Sequence, residues 1–387
     1  MIDFPTNKFR IEEILLLNLV TTLSELKGVY LIKQLSVSTP GRICLFGEHQ
    51  DYLQLPIIAG AISLRISIKG SKRTDRLIFI DLPDINKKES FAIKESQNYQ
   101  NDHDYFRSVV TVLKRDGLTF SNGVNCTVQG EIPINAGTSS SSALIVAWIN
   151  FMIKMSVQQP EFTAEKIAEI AYRAEVLEFN EAGGMMDQYS TAVGGIIGLK
   201  TFPKLNLKKF DVTLGNFVLA NSGEPKDTQN ILRRVKNGVL DIVKMLETTD
   251  ENFSLQTVKI NNIDDYKTKL TSEQIILLKG TIRNREITKQ AEDLLQQPNF
   301  DHLHFGALLS EQHEILSGTL KISTPKIDRM IETALAKGAL GAKINGSGGG
   351  GCMFAYAPDN AEEIKSALEV ISKETFVVSI GEGTRED

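Results

Sequence analysis

Residues 141–155, SSALIVAWINFMIKM, carry apolar side chains on every side of a helix axis. A helix of that kind offers no face to water, so it must lie inside and be covered all round by other elements. The rest of the chain has to supply that cover. Residues 37–47 and 57–69 are rich in Ile, Val and Leu, and the second run alternates, so both predict strands. Residues 123–132 alternate in the same way. Residues 104–115 place apolar positions at helical spacing. Thr163 caps a helix over 164–179, in which Ile167, Ile170, Ala171 and Ala174 form one face.

Further along, residues 216–223 (NFVLANSG) predict a strand, and the region to about residue 338 is mainly helical in pattern. Residues 341–357 then read strand, glycine loop, strand. Strands and helices in this irregular order favour an α+β fold over a doubly wound sheet. A chain of 387 residues exceeds one hydrophobic core. The polar, Lys-rich stretch after TAVGGIIGL is the natural boundary, dividing the chain into 1–210 and 211–387. Within it, residues 204–209 read as a solvated loop.

The formal net charge of −5, with Lys and Arg spread along the chain, argues against a nucleic-acid surface. Cys44, Cys126 and Cys352 are sparse, odd in number and lack C-x-x-C spacing. They predict buried, reduced thiols. The N-terminal run ILLLNLV is too short to span a bilayer and lacks the flanks of a signal peptide. It predicts an amphipathic helix packed on the body of a cytoplasmic protein.

Chemistry concentrates in a few places. GRICLFGEHQDY brings Arg42, Glu48, His49 and Asp51 together within apolar surroundings, as either a charged turn or a polar binding surface. In IPINAGTSSSSA, Pro133 and Gly137 lead into Ser139, Ser140 and Ser141 at the start of the buried helix. A helix N-terminus with unpaired N–H groups binds anions, and hydroxyl oxygens suit Mg²⁺. One serine suffices for a cap; four in a row exceed that need. Gly346, Ser347, Gly348, Gly349, Gly350 and Gly351 match G-x-G-x-x-G formally, but a strand follows instead of a helix, which argues against a dinucleotide fingerprint. A backbone that must closely approach a ligand or another loop is the better reading. Glu175 on a helix and Asp187 after the Gly183-Gly184 turn complete a set that phosphoryl transfer requires. That set is a phosphate cradle, a metal ligand, a positive charge and a group that orients the nucleophile. No P-loop and no protein-kinase motif is present.

PGRICLFGEHQDY, PINAGTSSSSA and KINGSGGGGCMF, in this order, resemble the three motifs of the GHMP kinase superfamily. The first is similar to the galactokinase signature, as are DYFRSVVTVL and GGMMDQYS. The resemblance runs from about residue 37 onward. It implies an N-terminal ribosomal-protein-S5-like domain and a C-terminal ferredoxin-like domain, with ATP and Mg²⁺ as cofactors. A sugar would be the phosphoryl acceptor, at its anomeric hydroxyl, and galactose leads. Arg42 and Asp187 would be catalytic. Ser140 and Glu175 would hold Mg²⁺, and the Gly137 loop would wrap the phosphates. Glu48, His49, Asp51 and the Gly184 backbone would bind sugar hydroxyls. The chain departs from the galactokinase pattern at Leu53-Gln54-Leu55-Pro56, at Ala182-Gly183-Gly184, at Asn230, and at Ser142 where Ala is usual. Another sugar, a mevalonate-type alcohol, or a non-catalytic sugar and ATP sensor therefore stand as alternatives.

His302, His304 and His313 lack the spacing of a metal set and read as surface or packed side chains. Trp148 belongs to the core.

Overall fold

The computed structural model describes residues 34–94, 98–225 and 228–387. The helix expected in the N-terminal run lies outside them. Strands β1 (Leu35–Phe46) and β2 (Ile57–Lys72) form the long antiparallel pair predicted from their branched apolar residues. A mixed sheet grows from that pair. It adds β3 (Leu77–Leu82), β4 (Lys87–Ala92), β5 (Val124–Gly130), β6 (Ile196–Lys200), β7 (Asn206–Phe210) and β12 (Arg385–Glu386). Its order is β12-β1-β2-β5-β3-β4, with β6 on the other end of β2 and β7 on β6. All pairs are antiparallel except β3 with β5.

Helices α1 (Tyr105–Arg115), α2 (Ser140–Met155), α3 (Ala164–Tyr172) and α4 (Met186–Val193) cover one face of this sheet. The apolar helix α2 sits at their centre against β1 and β2, as its composition demands. Trp148 is buried there, and its indole N–H donates to the Phe106 carbonyl at 3.1 Å. Thr163 caps α3 through the Lys166 N–H, but the helix does not run on regularly to residue 179. It widens into a π-turn over Arg173–Leu177, the turn that carries Glu175. Such bulges are frequent at functional sites because they re-aim a side chain without ending the helix.

The Lys-rich stretch corrects one expectation. Residues 206–210 are not a loop but strand β7, antiparallel to β6. Lys208 and Phe210, two positions apart and so on one face of the strand, show one contact that helps: the Lys208 ammonium sits over the Phe210 ring, 5.2 Å from its centroid. The chain changes sheets directly afterwards, between Phe210 and Asn216.

A second, four-stranded antiparallel sheet contains β8 (Asn216–Asn221), β9 (Gly341–Ile344), β10 (Cys352–Tyr356) and β11 (Glu374–Ser379), in the order β11-β8-β10-β9. With α8 (Pro325–Ala336) and α9 (Ala361–Glu369) packed against it, this is a ferredoxin-like arrangement. Between β8 and β9 run α5 (Thr228–Thr249), α6 (Ser272–Leu294) and α7 (His302–Glu314). Leu53 and Leu55, the apolar replacements after Asp51-Tyr52, are buried among Val239, Ile242, Leu278 and Ile282 of α5 and α6. The loop that follows β1 is thus anchored by its departures from the galactokinase pattern. All three cysteines are buried free thiols.

The two sheets are locked at β1. Lys343 and Asn345 alternate along the chain and so share one face. The Lys343 ammonium donates to the Cys44 carbonyl at 2.9 Å and pairs with Glu48. The Asn345 carbonyl oxygen accepts from the Cys44 N–H at 2.9 Å. Both ends of one β1 peptide residue are therefore satisfied from the second sheet, where the pairing of β1 with β2 is irregular. Lys343 is 0% exposed and Glu48 1%, so each charge depends on the other. Removing one partner of such a buried pair strands the remaining charge. We expect Lys343→Met to lower unfolding stability by about 3–5 kcal/mol in a urea titration. The double variant Lys343→Met/Glu48→Leu should regain most of that loss.

Candidate functional site

A cleft of about 730 Å³ opens where β1, the loop before α2, the π-turn, the start of α4 and the glycine loop between β9 and β10 converge. Arg42, Glu48, His49, Asp51, Gly137, Ser139, Ser140, Ser141, Glu175, Gly184, Asp187, Gly346 and Ser347 all line it. The fold thus gathers side chains separated by up to three hundred positions.

Arg42 stands at the centre and is 3% exposed. Its Nε and Nη2 each lie 2.8 Å from Asp187 Oδ1, and its Nη1 donates to the Gly137 carbonyl. Burial alone would depress the guanidinium pKa, but Asp187 chiefly outweighs it and the net shift is upward. The Asp187 side chain is a third exposed, so one carboxylate face remains open to the cleft.

The serine loop is held from several sides. Arg42 N–H donates to Thr138 O at 3.1 Å, Cys352 N–H to Ala136 O at 2.8 Å, and the Asn345 amide to Gly137 O at 2.9 Å. Gly137 and Ser139 have φ of 84° and 58°, which turns the loop into the N-terminus of α2. Pro133 lies at the start of this loop, where its carbonyl accepts from the Thr138 hydroxyl at 3.3 Å. The Ser139 hydroxyl is buried and has no partner.

Glu175 is buried beside this loop. Its Oε2 accepts from the Ser142 hydroxyl at 2.7 Å and the Gln188 amide at 2.6 Å. Burial raises its pKa from the usual 4.5 to about 7, although these hydrogen bonds pull the other way. The Gln188 Oε1 is a second buried atom without a partner.

At the opposite wall Asp51 accepts from Tyr52 N–H at 2.8 Å and Met186 N–H at 3.3 Å. Burial, then the Asp187 charge, pushes its pKa up to about 6. A Cβ at Gly184 would overlap this carboxylate, so the Gly183-Gly184 turn is what lets Asp51 reach the start of α4. His49 donates through Nε2 to the Ser347 carbonyl at 3.0 Å, which leaves Nδ1 to accept from Tyr52 OH at 2.6 Å.

Two sequence expectations need correction here. Glu48 lines the cleft, but its carboxylate is turned to Lys343 and to the Gly346 N–H at 3.4 Å. A buried ammonium has no other counter-charge, so Glu48 braces the wall. Within the glycine loop only Gly346 and Ser347 reach the cleft. A Cβ at Gly346 would come 2.8 Å from Gly137 O, and one at Gly348 2.5 Å from Ile322 O. Gly349 and Gly350 press likewise against Ile231 and Glu224. The loop therefore approaches other loops, one of the two readings its composition allowed.

Sequence reasoning missed Lys343, Asn345 and Gln188. The first two could have been found from their strand spacing: two polar residues, i and i+2, in an otherwise apolar strand. The cleft also takes in His103, Tyr105 and Glu181, in which Glu181 Oε1 accepts from the Tyr105 hydroxyl at 3.2 Å. His302 and His313 have separate partners, Tyr356 and Asp328. Among the described residues no cluster of three or more His, Cys, Asp or Glu side chains could hold a metal, and no helix is long and apolar enough to cross a membrane.

Residues 30–72 match the galactokinase galactose-binding signature, 104–195 the GHMP kinases N terminal domain, and 291–371 the GHMP kinases C terminal. The chain is 29% identical to the galactokinase of Staphylococcus saprophyticus over 358 residues, 88% of this chain and 90% of that protein. It is 27% identical to the mevalonate kinase of Thermococcus gammatolerans over 360 residues, 90% of this chain and 97% of that protein. Its fold matches that of the Lactococcus lactis galactokinase in complex with galactose with a TM-score of 0.81, at 21% identity over 96% of this chain and 99% of that one. The chain therefore belongs to the GHMP kinases, phosphotransferases that act on an alcohol with ATP as donor, and it is a galactokinase-like member of them.

Proposed function

We propose that this protein transfers the γ-phosphoryl group of ATP to a hydroxyl of a neutral hexose at the anomeric carbon, with galactose as the leading acceptor. The observation that carries this reading is the Asp51 carboxylate, fixed by Gly184 at the start of α4 and directly beside the Arg42–Asp187 pair. Carboxylate oxygens accept from hydroxyls, so such a wall suits a polyol. The galactose-binding signature over 30–72 supports it. A mevalonate-type acceptor is the second reading, favoured by the similarity to a mevalonate kinase. Against it, Arg42 and Lys373 are the only lysine or arginine side chains lining the cleft among the described residues, and Arg42 is committed to Asp187. An acceptor carboxylate would face Asp51 and Asp187.

In this reading the serine loop and the α2 N-terminus cradle the phosphates. The acceptor oxygen bonds to the γ-phosphorus as the bond to the ADP oxygen breaks, and Asp187 orients the acceptor hydroxyl and takes its proton. Arg42 lowers the cost of charge on the transferring group. The cleft offers the Glu175 carboxylate and serine hydroxyls as oxygen ligands, and two buried oxygens of residues lining it, Ser139 Oγ and Gln188 Oε1, lack partners. That set fits Mg²⁺, which takes one or two protein carboxylates plus nucleotide phosphates. Glu175 and Ser140 would hold it, and the ion would neutralise phosphate charge. Residues 1–210 and 211–387 serve as the two domains of this proposal, which is of a cytoplasmic enzyme.

Coupled ADP release with Mg·ATP across galactose, N-acetylgalactosamine, a uronic acid, a heptose phosphate and mevalonate tests the acceptor. Galactose should give the highest kcat/KM. A strong response to mevalonate alone would overturn the sugar reading, and no response to any acceptor would favour a sugar and ATP sensor.

Asp187→Ala should abolish turnover while ATP binding, followed by calorimetry, persists. Arg42→Ala should reduce kcat by about 10²–10³-fold, as loss of one stabilising donor does.

Glu175 also makes stability depend on pH. Because its folded pKa lies above the unfolded one, the unfolded chain ionises first as pH rises. Stability is then lost between about pH 4.5 and 7 and is level above that. Glu175→Gln removes the loss. The variant should melt higher than wild type at pH 8, by up to roughly 3 kcal/mol of stability, and gain much less at pH 5. It should also be inactive.

A further inference from the structure

Helix α2 begins without a side-chain cap: its N-cap residue Ser139 makes no capping hydrogen bond. Four serines stand there, yet the one at the N-cap position does not close the helix end. Ser142 instead sends its hydroxyl across to another element. It is buried, and it donates to Glu175 Oε2 at 2.7 Å. The amide of Gln188, on the first turn of α4 and next to Asp187, reaches the same oxygen from the other side at 2.6 Å. Two donors from two helices thus converge on one oxygen of one carboxylate, and Glu175 itself sits on a widened π-turn. A carboxylate gripped by a single oxygen cannot rotate about its terminal bond without losing both bonds, so its second oxygen faces one direction only. Glu175 lines the cleft together with Ser140, Ser141, Ser142 and Gln188.

We propose that Ser142, with Gln188, is a positioning residue that clamps Glu175 so that its Oε1 is presented to Mg²⁺ on the nucleotide phosphates. The inference rests on the metal-holding role of Glu175 proposed above. Ser142 does not touch the nucleotide in this scheme. It acts through the carboxylate, and a residue without a hydroxyl, as alanine at this place, removes one of the two donors that meet at Oε2. The carbonyl four residues back, that of Thr138, lies before the helix and accepts from the Arg42 N–H, so Ser142 does not back-bond within its own helix.

The test is ADP binding by calorimetry, with and without MgCl₂, for the wild type, Ser142→Ala, Ser142→Thr and Gln188→Met. This readout needs no acceptor and no turnover. In the wild type Mg²⁺ should tighten ADP binding. In Ser142→Ala the Mg²⁺-dependent gain should shrink roughly tenfold, the usual weight of one hydrogen bond to a charged group, with metal-free ADP affinity within twofold of wild type. Ser142→Thr, which keeps the hydroxyl, should restore the gain, and Gln188→Met should lose it as Ser142→Ala does. A Ser142→Ala protein with the full Mg²⁺ response overturns the clamp and leaves the kinase reading intact. Equal weakening with and without Mg²⁺ also overturns it, because Ser142 would then act on the shape of the phosphate loop. If wild-type binding ignores Mg²⁺, the metal role of Glu175 falls first and the clamp falls with it.

Discussion

The site depends on a charge that water never reaches. Lys343 carries its ammonium into the contact between the two sheets, where its partners are Glu48 and the Cys44 carbonyl. Dehydrating both ions is expensive, and their mutual attraction recovers that cost only in one geometry. The pair therefore acts less as glue than as a register pin. With Asn345 it holds β1 at one position, and that position decides where Arg42 points. Asn345 and Arg42 both donate to the Gly137 carbonyl, so the serine loop is set by the same contact.

From that pin the cleft follows as a set of opposed charges kept from cancelling entirely. Asp187 is neutralised on one oxygen by Arg42 and left open on the other. Asp51 and Glu175 are both buried, and burial pushes their pKa values up, a perturbation that clusters at functional sites. Two buried oxygens of residues lining the cleft, Ser139 Oγ and Gln188 Oε1, have no partner. A protein selected for stability alone would have removed these features, and a phosphoryl-transfer site has use for each.

Much of this was legible in the residues. The all-round apolar helix α2 had to be central, and the branched runs around it had to be strands. Arg42, Asp51, Glu175, Gly184 and Asp187 announced themselves by chemistry out of keeping with their apolar or glycine-rich neighbours. The motif order supplied the family. What stayed hidden is long-range. No local pattern says that Glu48, next to a histidine and within a charged run, will be consumed by a lysine 295 positions later. Nor does a lysine-rich stretch show that Lys208 will set its ammonium over Phe210 within a strand. The serine run signalled an anion site, but its fourth member proved to serve a carboxylate on another helix. Local propensity reports on neighbours in sequence, and these contacts are between neighbours only in space.

Strand β1 has one more consequence, for the order in which the protein can be made. The residues that complete it come late: Lys343 and Asn345 satisfy its Cys44 peptide, and β12 pairs with Val37 and Ser38. While the ribosome is still short of those positions, the strand bearing Arg42 has an unpaired edge and Glu48 has no counter-ion. An exposed strand edge invites pairing with other chains. The sheet begun first is thus the last to be finished, because its strand β12 is made from residues 385 and 386.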